Sequence, residues 1–340
     1  MSKKNKKYTA AIIGCGKIAV EEGIFHKMFQ PGTHAGAYKA HPRIKIVGFA
    51  DIDPKRLRAA AKNFPGVPLF NSTEEMLKKT SPDIVSIATH SDTHAIFVKL
   101  AAKYRIKAIV CEKPAAKTVQ EAKEMVDVCR ASGSLLFINH TQRFDPLLMK
   151  LRKNVKNGLI GQVMQGSYYY FNGIFNNGSH AVDFLRFFLG EIDWVIAVEN
   201  KLAYNFDLPH LKHDLNVDAM LHFKSGAIVH LHPLSANYHF WDIYFFGSKG
   251  SLFFKNSFYK IEYRKLIKNK YFKGYFGLQE KPVVMGGMRS YMKSMPEHVV
   301  NCLDGKSRPV IKAEDGLATL KILFALKESA LKGGKKISIK

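Results

Sequence analysis

The chain has 340 residues, more than one hydrophobic core usually organises, so two domains are expected. Hydrophobic residues make up 46% and charged residues 24% of it, which is ordinary for a globular protein and argues against extensive disorder. No apolar run approaches the roughly 20 residues of a membrane span, so no integral membrane segment is expected, and without a signal peptide a cytoplasmic location is expected.

The formal net charge of +24 has two interpretations. One is a polyanionic partner, such as nucleic acid or a membrane surface. The other is a lysine-rich composition combined with an anionic small substrate. The excess charge is spread along the whole chain, which favours the second interpretation, so no nucleic-acid partner is expected. The four cysteines show no metal-ligand spacing, so they are expected to be reduced and no metal site is predicted.

The first part of the chain alternates short apolar strands with helices. Strands are predicted at 9–14, 44–50, 68–70, 84–88, 108–111 and 135–139, and helices at 54–64, 94–104 and 119–131. A helix is also expected to open at residues 72–75 and another to end at residues 35–40. This alternation predicts βαβ units and a parallel, doubly wound sheet over residues 1–145.

After residue 145 the pattern changes to consecutive, alternating strands. They are predicted at 163–171, 195–199, 218–223, 228–234, 241–247 and 251–255, and helices at 146–157, 180–189, 292–303 and 314–332. Residues 146–340 are therefore predicted to form an α+β domain with a large, mostly antiparallel, open-faced sheet, whose C-terminal helices can pack back on the first domain. An uncovered sheet face usually marks an interface, so a homodimer or homotetramer is expected.

A basic and aromatic stretch covers residues 255–281, where lysines and Arg264 alternate with tyrosines and Phe272. It could bind a phosphate-bearing ligand or a membrane surface, or it could be a strand and loop with a solvated face. We expect it near the substrate cleft or a subunit contact, without binding to nucleic acid.

A glycine turn, Gly14-Cys-Gly16-Lys-Ile-Ala19, follows the first strand. It predicts a dinucleotide site, because Gly14 permits a tight turn and Gly16 lets the backbone approach a pyrophosphate at a helix N-terminus. Asp51 follows the second strand, where a carboxylate binds the ribose 2′-hydroxyl and favours NAD over NADP. Asp53 is assigned to capping the next helix. Asp51 lies 35 residues after Gly16, against about 20 in the usual fingerprint, which indicates an insertion near residues 20–32 that is either a lid or a surface excursion.

Further motifs follow in order: His94, Glu112-Lys113-Pro114, Asn139-His-Thr-Gln-Arg143, Gly178-Ser-His180-Ala-Val-Asp183, and glycine-containing segments at 247–252 and 314–316. Together with the glycine turn and Asp51, they make the chain resemble the glucose–fructose oxidoreductase, inositol dehydrogenase and MocA-type family over nearly its whole length. The resemblance implies that Lys113 binds the reacting hydroxyl and that His180 is the general base. Hydride transfer itself needs a group that takes the hydroxyl proton, and both side chains suit that task.

One departure from the family pattern is Asn176, which stands where many relatives carry an aspartate. Proton transfer is then expected to fall on His180, polarised by Asp183 on the same helix face, unless Asp183 pairs with Arg186 or a lysine. The predicted catalytic residues are Lys113, His180 and Asp183, and the predicted substrate contacts are Lys113, Arg143, Asn176 and His180. The predicted cofactor contacts are Gly14, Gly16, Lys17, Ile18, Asp51, Ile52, Thr89, His94, Glu112, Lys113 and Arg143.

The resemblance implies an NAD-dependent oxidoreductase acting on a sugar CH–OH group. The leading hypothesis is oxidation at the 3-position of a sugar nucleotide, such as a UDP-N-acetylglucosamine-type substrate. The alternatives are a dehydrogenase of a free sugar, sugar phosphate or inositol and, from another class, a non-catalytic NAD-sensing or nucleic-acid-binding protein.

Overall fold

A computed structural model describes residues 6–20, 30–204, 214–235, 238, 240–288 and 292–340. The chain forms two compact units. Unit 1 consists of Met1–Asp145 and Ser290–Leu320, and unit 2 of Pro146–Arg289 and Lys321–Lys340. Residues 290–320 thus belong to the same unit as the first 145 residues.

Several of the described helices have an N-cap side chain that accepts a hydrogen bond from a backbone amide of the first turn. Asp53 and Ser72 cap two helices in this way, and Thr118 with Glu121 forms a complete capping box. The helices are α1 (His34–Ala40), α2 (Pro54–Asn63), α3 (Thr73–Thr80), α4 (His94–Lys103), α5 (Val119–Ser132), α6 (Pro146–Lys156), α7 (Gly178–Leu189), α8 (Ser294–Leu303) and α9 (Ala313–Leu331).

Unit 1 contains a parallel sheet of six strands in the order β3-β2-β1-β4-β5-β6. Every residue of β4 and β5 is buried, as in strands covered on both faces. The order reverses between β1 and β4, and doubly wound sheets bind ligands outside the carboxyl ends of the strands at such a point. The predicted Rossmann fold is confirmed. Its strands are β1 (Tyr8–Ile13), β2 (Ile44–Ala50), β3 (Leu69–Phe70), β4 (Ile84–Ile87), β5 (Ala108–Cys111) and β6 (Leu135–Ile138).

Unit 2 contains a sheet of ten strands, in the order β14-β13-β12-β11-β7-β10-β9-β8-β16 with β15 beside β13. All pairs are antiparallel except β10 with β7, because the chain leaves the sheet through α7 and returns beside β7 after two more strands. The predicted mostly antiparallel sheet is confirmed. Its strands are β7 (Val163–Phe171), β8 (Ile192–Glu199), β9 (Val217–Phe223), β10 (Ile228–Leu234), β11 (Ile243–Gly247), β12 (Gly250–Lys255), β13 (Lys260–Lys268), β14 (Phe276–Leu278), β15 (Val283–Gly286) and β16 (Ile337–Ser338).

The two faces of this sheet differ. On one face α7 packs through Phe184, whose ring meets those of Tyr168, Phe254 and Phe258 at centroid distances of 5.2 to 6.1 Å. Along β9 and β10 buried residues alternate strictly with half-buried ones, so the opposite face is less covered within this unit. Rings on that face include those of Tyr169, His232, Tyr244 and Phe253.

Four cysteines, Cys15, Cys111, Cys129 and Cys302, are buried and form no disulfide. Within the described ranges, no helix combines the length and apolar character that a membrane crossing requires.

Candidate active site

A glycine turn follows β1 in unit 1. Gly14 has a φ of +86°, and a Cβ there would lie 2.8 Å from the Ala88 carbonyl oxygen. Both the backbone conformation and the lack of space therefore exclude a side chain. A Cβ at Gly16 would meet no atom within 4 Å, which leaves open space beside the backbone. The next residues, including the predicted contacts Lys17 and Ile18, form one helical turn. Open backbone before a helical turn can accept a pyrophosphate.

The predicted insertion interrupts the helix that this turn begins. The His34 amide donates to the Ile18 carbonyl at 3.1 Å, and the Ala35 amide donates to the Ala19 carbonyl at 2.9 Å. Helical bonds join residues four apart, whereas His34 and Ile18 are 16 apart, so the excursion holds 12 extra residues. Removing these 12 from the 35 residues between Gly16 and Asp51 leaves 23, close to the usual spacing of about 20. Residues 21–29 lie outside the described residues, so both roles of the insertion stay open.

Asp51 directly follows β2 and is 9% exposed. Its Oδ2 accepts a hydrogen bond from the Cys15 amide at 2.7 Å, and its Oδ1 accepts one from the Asp53 amide at 2.8 Å. These bonds hold the carboxylate beside the glycine turn. Asp53 accepts from the Lys55 amide and caps α2, as predicted. Ribose binding by Asp51 stays a prediction.

A pocket of about 440 Å³ lies beside Asp51 and the glycine turn. Its walls include Ile52, which is 90% exposed, and Arg56, whose Nη1 lies 4.0 Å from Asp51 Oδ2. Thr89 and neighbouring residues after β4 complete the lining. A pocket that combines apolar walls, such as Ile13, Phe97 and Leu100, with the Asp51 carboxylate suits the nucleoside end of a dinucleotide.

Glu112 follows β5 and is buried inside unit 1. Its Oε1 accepts from Asn139 Nδ2 at 2.6 Å and lies 2.8 Å from His34 Nε2. The bonds continue from His34 Nδ1 to Ser86 Oγ at 2.9 Å, and from Ser86 to the Tyr38 hydroxyl at 2.6 Å. Burial by itself raises the pKa of Glu112. Hydrogen bonds from His34 and Asn139 and the positive charges of His34 and Lys113 outweigh this effect and hold the pKa at about 2. Glu112 is thus an anion engaged by protein groups, and its predicted cofactor contact stays a prediction.

Lys113 lies between this buried carboxylate and Pro114, at the carboxyl end of β5. Its amide is 3.4 Å from Glu112 Oε2, its bond to Pro114 is cis, and its residue surface is half-buried. His94 adjoins the same loop, with Nδ1 3.0 Å from the Pro114 carbonyl oxygen and Nε2 3.2 Å from that of Thr89. Burial lowers the pKa of His94. Both His94 nitrogens therefore face protein carbonyls, and the ring connects the loop after β4 with the loop that carries Lys113.

Arg143 lies in a short 3₁₀ turn after β6, Thr141–Phe144, and is 5% exposed. Its Nη1 is 3.3 Å from Asp315 Oδ1 at the start of α9, within unit 1. The guanidinium charge is thus partly balanced by a protein carboxylate. Its predicted contacts with cofactor and substrate stay predictions.

In unit 2, α7 carries His180 and Asp183, which are 6% and 1% exposed. Arg186 on the same helix pairs with Glu191, with Nη2 2.8 Å from Oε1. The helix is buried along nearly its entire length, and His180 and Asp183 are buried with it. General-base action by His180 stays a prediction.

Asp214 contacts the segment of Asn176, and the sequence did not indicate it. Its carboxylate accepts from the amides of Phe175 and Asn176 at 3.0 and 2.8 Å, in the π-helical turn Gly173–Asn177 that leads into α7. Gly173 has a φ of +83°, and a Cβ there would lie 2.2 Å from the Asp214 carboxyl carbon. A carboxylate thus lies beside the backbone of Asn176, at the position for which the family resemblance implies an acid.

The sequence did not indicate that three further residues connect to Glu112 by hydrogen bonds. They are His34, Ser86 and Asn139. They lie 78, 26 and 27 residues from Glu112, so no local spacing connects them. The sequence did contain a signal for His34. If the 12 inserted residues are left out of the count, His34 lies two helical turns after Gly14, on the helix that packs beside the glycine turn.

Two family models match this chain. Residues 8–140 match "Oxidoreductase family, NAD-binding Rossmann fold", and residues 171–253 match "GFO/IDH/MocA C-terminal domain". Each match falls within one structural unit. The first covers the whole parallel sheet, and the second covers strands β8 to β11 and most of β12.

Curated relatives match part of the chain. A D-apiose dehydrogenase of Paraburkholderia graminis is 28% identical over 58% of this chain and 54% of its own length. A D-glucoside 3-dehydrogenase of Escherichia coli is 28% identical over 45% of this chain and 40% of its own length. The matches therefore span about half the length of these relatives.

Solved structures match nearly the whole chain. The WlbA dehydrogenase of Bordetella pertussis, in complex with NADH and UDP-GlcNAcA, has a TM-score of 0.75 at 22% identity, covering 98% of this chain and 99% of that chain. At this identity the likeness establishes a common fold for both units.

Proposed function

Because the chain belongs to the GFO/IDH/MocA oxidoreductase family, we propose that it transfers hydride between NAD and a sugar CH–OH or ketone carbon. The observation that carries the proposal is the position of Lys113. It follows β5 at the carboxyl edge of a parallel sheet, whose first two strands end in the glycine turn and Asp51. This edge is where doubly wound folds bind their ligands.

Several features of unit 1 fit a dinucleotide. The open backbone at Gly16 suits the pyrophosphate, and the pocket beside Asp51 suits the adenosine end, with the carboxylate toward the ribose hydroxyls. When bound, NAD⁺ supplies the hydride acceptor and NADH the donor. Ile52 and Thr89 would contact the nucleoside, and Lys17 and Ile18 the phosphates.

The proposed roles of side chains follow from charge balance in alcohol oxidation. The carbinol carbon loses a hydride, its hydroxyl loses a proton, and a ketone forms. Lys113 binds the reacting oxygen and stabilises its developing negative charge, while His180 takes the proton. Asp183 polarises the imidazole from the next turn of α7. Arg143 and Asn176 contact the substrate.

For the substrate we propose a sugar nucleotide oxidised at the 3-position, such as a UDP-N-acetylglucosamine-type compound. The charge of +24 favours a diphosphate-bearing substrate over a neutral sugar. The UDP-GlcNAcA complex of a protein with the same fold supports this class. The second candidate is a free sugar, sugar phosphate or inositol, favoured by the names of the D-apiose and D-glucoside relatives.

The test is a dehydrogenase assay with NAD⁺ over UDP-sugars, UDP-sugar acids, sugar phosphates, free sugars and inositols, following formation of NADH. We expect the highest kcat/KM with a UDP-sugar, and Lys113→Met as the matched inactive control. If only uncharged sugars are turned over, the proposed sugar-nucleotide substrate is wrong and the second candidate takes its place. NAD binding without turnover of any class would instead favour a sensor.

A further inference from the structure

One part of unit 2 has no place in the proposed function: the turn between β13 and β14, residues 268–276, here called the aromatic hairpin. It carries four large rings within six residues, and their exposed fractions are 77% for Tyr271, 65% for Phe272, 71% for Tyr275 and 60% for Phe276. Scattered apolar residues are common on surfaces, but a contiguous cluster of rings usually marks a binding surface.

The hairpin is an ordered turn that displays these rings. The Asn269 side-chain oxygen accepts from the amides of Tyr271 and Phe272 at 2.9 and 3.0 Å, and the Asn269 amide donates to the Tyr275 carbonyl at 2.9 Å. Antiparallel pairing of β13 with β14 continues from there. Little conformational entropy is therefore lost when the rings bind a partner.

Lysines surround the rings. Lys265, Lys268, Lys270 and Lys273 are all exposed, and the sequence has no acidic residue from 263 to 279. Lys270 Nζ lies 4.8 Å from the Tyr271 ring centre and 3.5 Å from Glu280. The partner must therefore accept both aromatic rings and several positive charges.

We propose that the aromatic hairpin binds the surface of an anionic lipid bilayer. Tyrosine and phenylalanine rings enter the headgroup region, while lysines keep their ammonium groups at the phosphates. A second copy of this chain fits less well at this hairpin, because a two-fold symmetric contact would bring the exposed hairpin lysines of both copies together. Single-stranded nucleic acid binds in grooves that follow its backbone, whereas these rings stand on a turn between two strands. The proposed contact is peripheral and independent of the proposed enzymatic function.

The test is co-sedimentation of the full chain with phosphatidylcholine vesicles, with and without one third phosphatidylglycerol. We expect partitioning to be at least roughly tenfold stronger with the anionic lipid and to fall in high salt, because each lysine near such a surface contributes about fivefold. Phe272→Trp should show a blue-shifted emission with anionic vesicles only.

Two variants separate the parts of the proposal. Replacing Tyr271, Phe272, Tyr275 and Phe276 by serine should reduce binding at least roughly tenfold, as should replacing Lys268, Lys270 and Lys273 by glutamine. The matched control replaces Lys117, Lys123 and Lys156, exposed lysines elsewhere, by glutamine and should change binding less than about twofold. An equal loss in the control, or no binding to anionic vesicles, would overturn the proposal. So would a serine variant that becomes monomeric in light scattering while vesicle binding is unchanged, or RNA that binds the hairpin more tightly than vesicles do.

Discussion

Glu112 is a residue whose environment differs from what its motif suggests. The Glu-Lys-Pro motif directs attention to a strand end that faces a ligand, yet this carboxylate is directed inward, toward His34 and Asn139. Its charge is compensated by hydrogen bonds from His34 on α1 and Asn139 after β6, beside the backbone of Lys113. We therefore interpret Glu112 as a residue that positions Lys113.

Glu112→Gln tests this interpretation through stability. Folding lowers the Glu112 pKa from 4.5 to about 2, so its ionisation stabilises the folded state above pH 4.5, and that stability is lost as the pH falls toward 2. We expect the variant to lose about 1–3 kcal/mol at neutral pH and to lose less additional stability than the wild type on acidification. Urea unfolding at a series of pH values measures both. Glu75→Gln, which removes only an exposed pair with Lys79, is the control and should cost less than about 1 kcal/mol.

Substitution of the proposed catalytic side chains should affect turnover much more than cofactor binding. Loss of a general base costs about 10²- to 10⁴-fold, so His180→Ala should be at least roughly a hundredfold slower with an unchanged NAD Kd. Lys113→Ala should be as severe, because it removes both positioning and charge stabilisation. Asn176→Ala is the milder comparison. The measurement is a pH–rate profile with a verified substrate, and near-normal turnover of His180→Ala would place the base elsewhere.

Asp51 should make the protein prefer NAD to NADP, because its carboxylate repels a 2′-phosphate. Asp51→Ala should narrow this preference, since Arg56, now 4.0 Å from the carboxylate, would remain available to a phosphate. Calorimetric titration with both dinucleotides measures the ratio. Asp53 caps α2 and its Oδ2 lies 3.8 Å from Arg56 Nε, so Asp53→Asn keeps a capping side chain while removing the second acid near Arg56, and should change the ratio less than Asp51→Ala does. Wild-type affinity for NADP equal to that for NAD would contradict the assignment.

At the scale of elements, the helical hydrogen-bond pattern of the glycine turn continues into α1 across the insertion after Val20. Because the His34 and Ala35 amides bond to Ile18 and Ala19, deleting residues 21–32 should restore a continuous helix from the glycine turn into α1. We expect this 12-residue deletion to fold with a Tm within a few degrees of the wild type and to bind NAD.

Deleting residues 21–31 is the matched control for that variant. It leaves one extra residue and rotates α1 by about 100°, so its Tm should be clearly lower. Equal stabilities would show that the register is unimportant. If the 12-residue deletion binds NAD but loses turnover, the insertion acts as a lid; unchanged turnover would identify an inert surface excursion.

At the scale of the whole molecule, the less covered sheet face of unit 2 bears on assembly. Val198 is 53% exposed and Phe246 is 36% exposed, and each follows a buried residue of its strand, so both lie on the less covered face. We expect a homodimer or a dimer of dimers, because large exposed apolar surfaces usually mark interfaces.

Light scattering at micromolar concentration tests the assembly, and a monomeric mass would contradict it. Replacing Val198 and Phe246 by glutamate should shift the mass toward the monomer, since charges at an apolar interface are unfavourable. Leu69→Glu, at an exposed position in unit 1, is the control and should leave the mass unchanged.

The sequence by itself determined the two sheets and the strand ends at which the glycine turn, Asp51 and Lys113 lie. Strand and helix periodicity, the glycine turn and the acid after β2 are local features, because each depends on residues within one turn or one strand of each other. They sufficed for the Rossmann fold, the mostly antiparallel second sheet, the insertion near residue 20 and the place of Lys113 at a strand end.

Only the tertiary structure decided which distant residues meet. The pairing of His34 with Glu112 spans 78 residues, and the bond from Asn176 to Asp214 spans 38. The parallel pairing of β10 with β7 and the membership of residues 290–320 in unit 1 are equally non-local. Such contacts depend on where the chain returns after leaving a sheet, and no pattern within a single element encodes that return, because its free energy comes from burial and hydrogen bonds that exist only once both partners are in place.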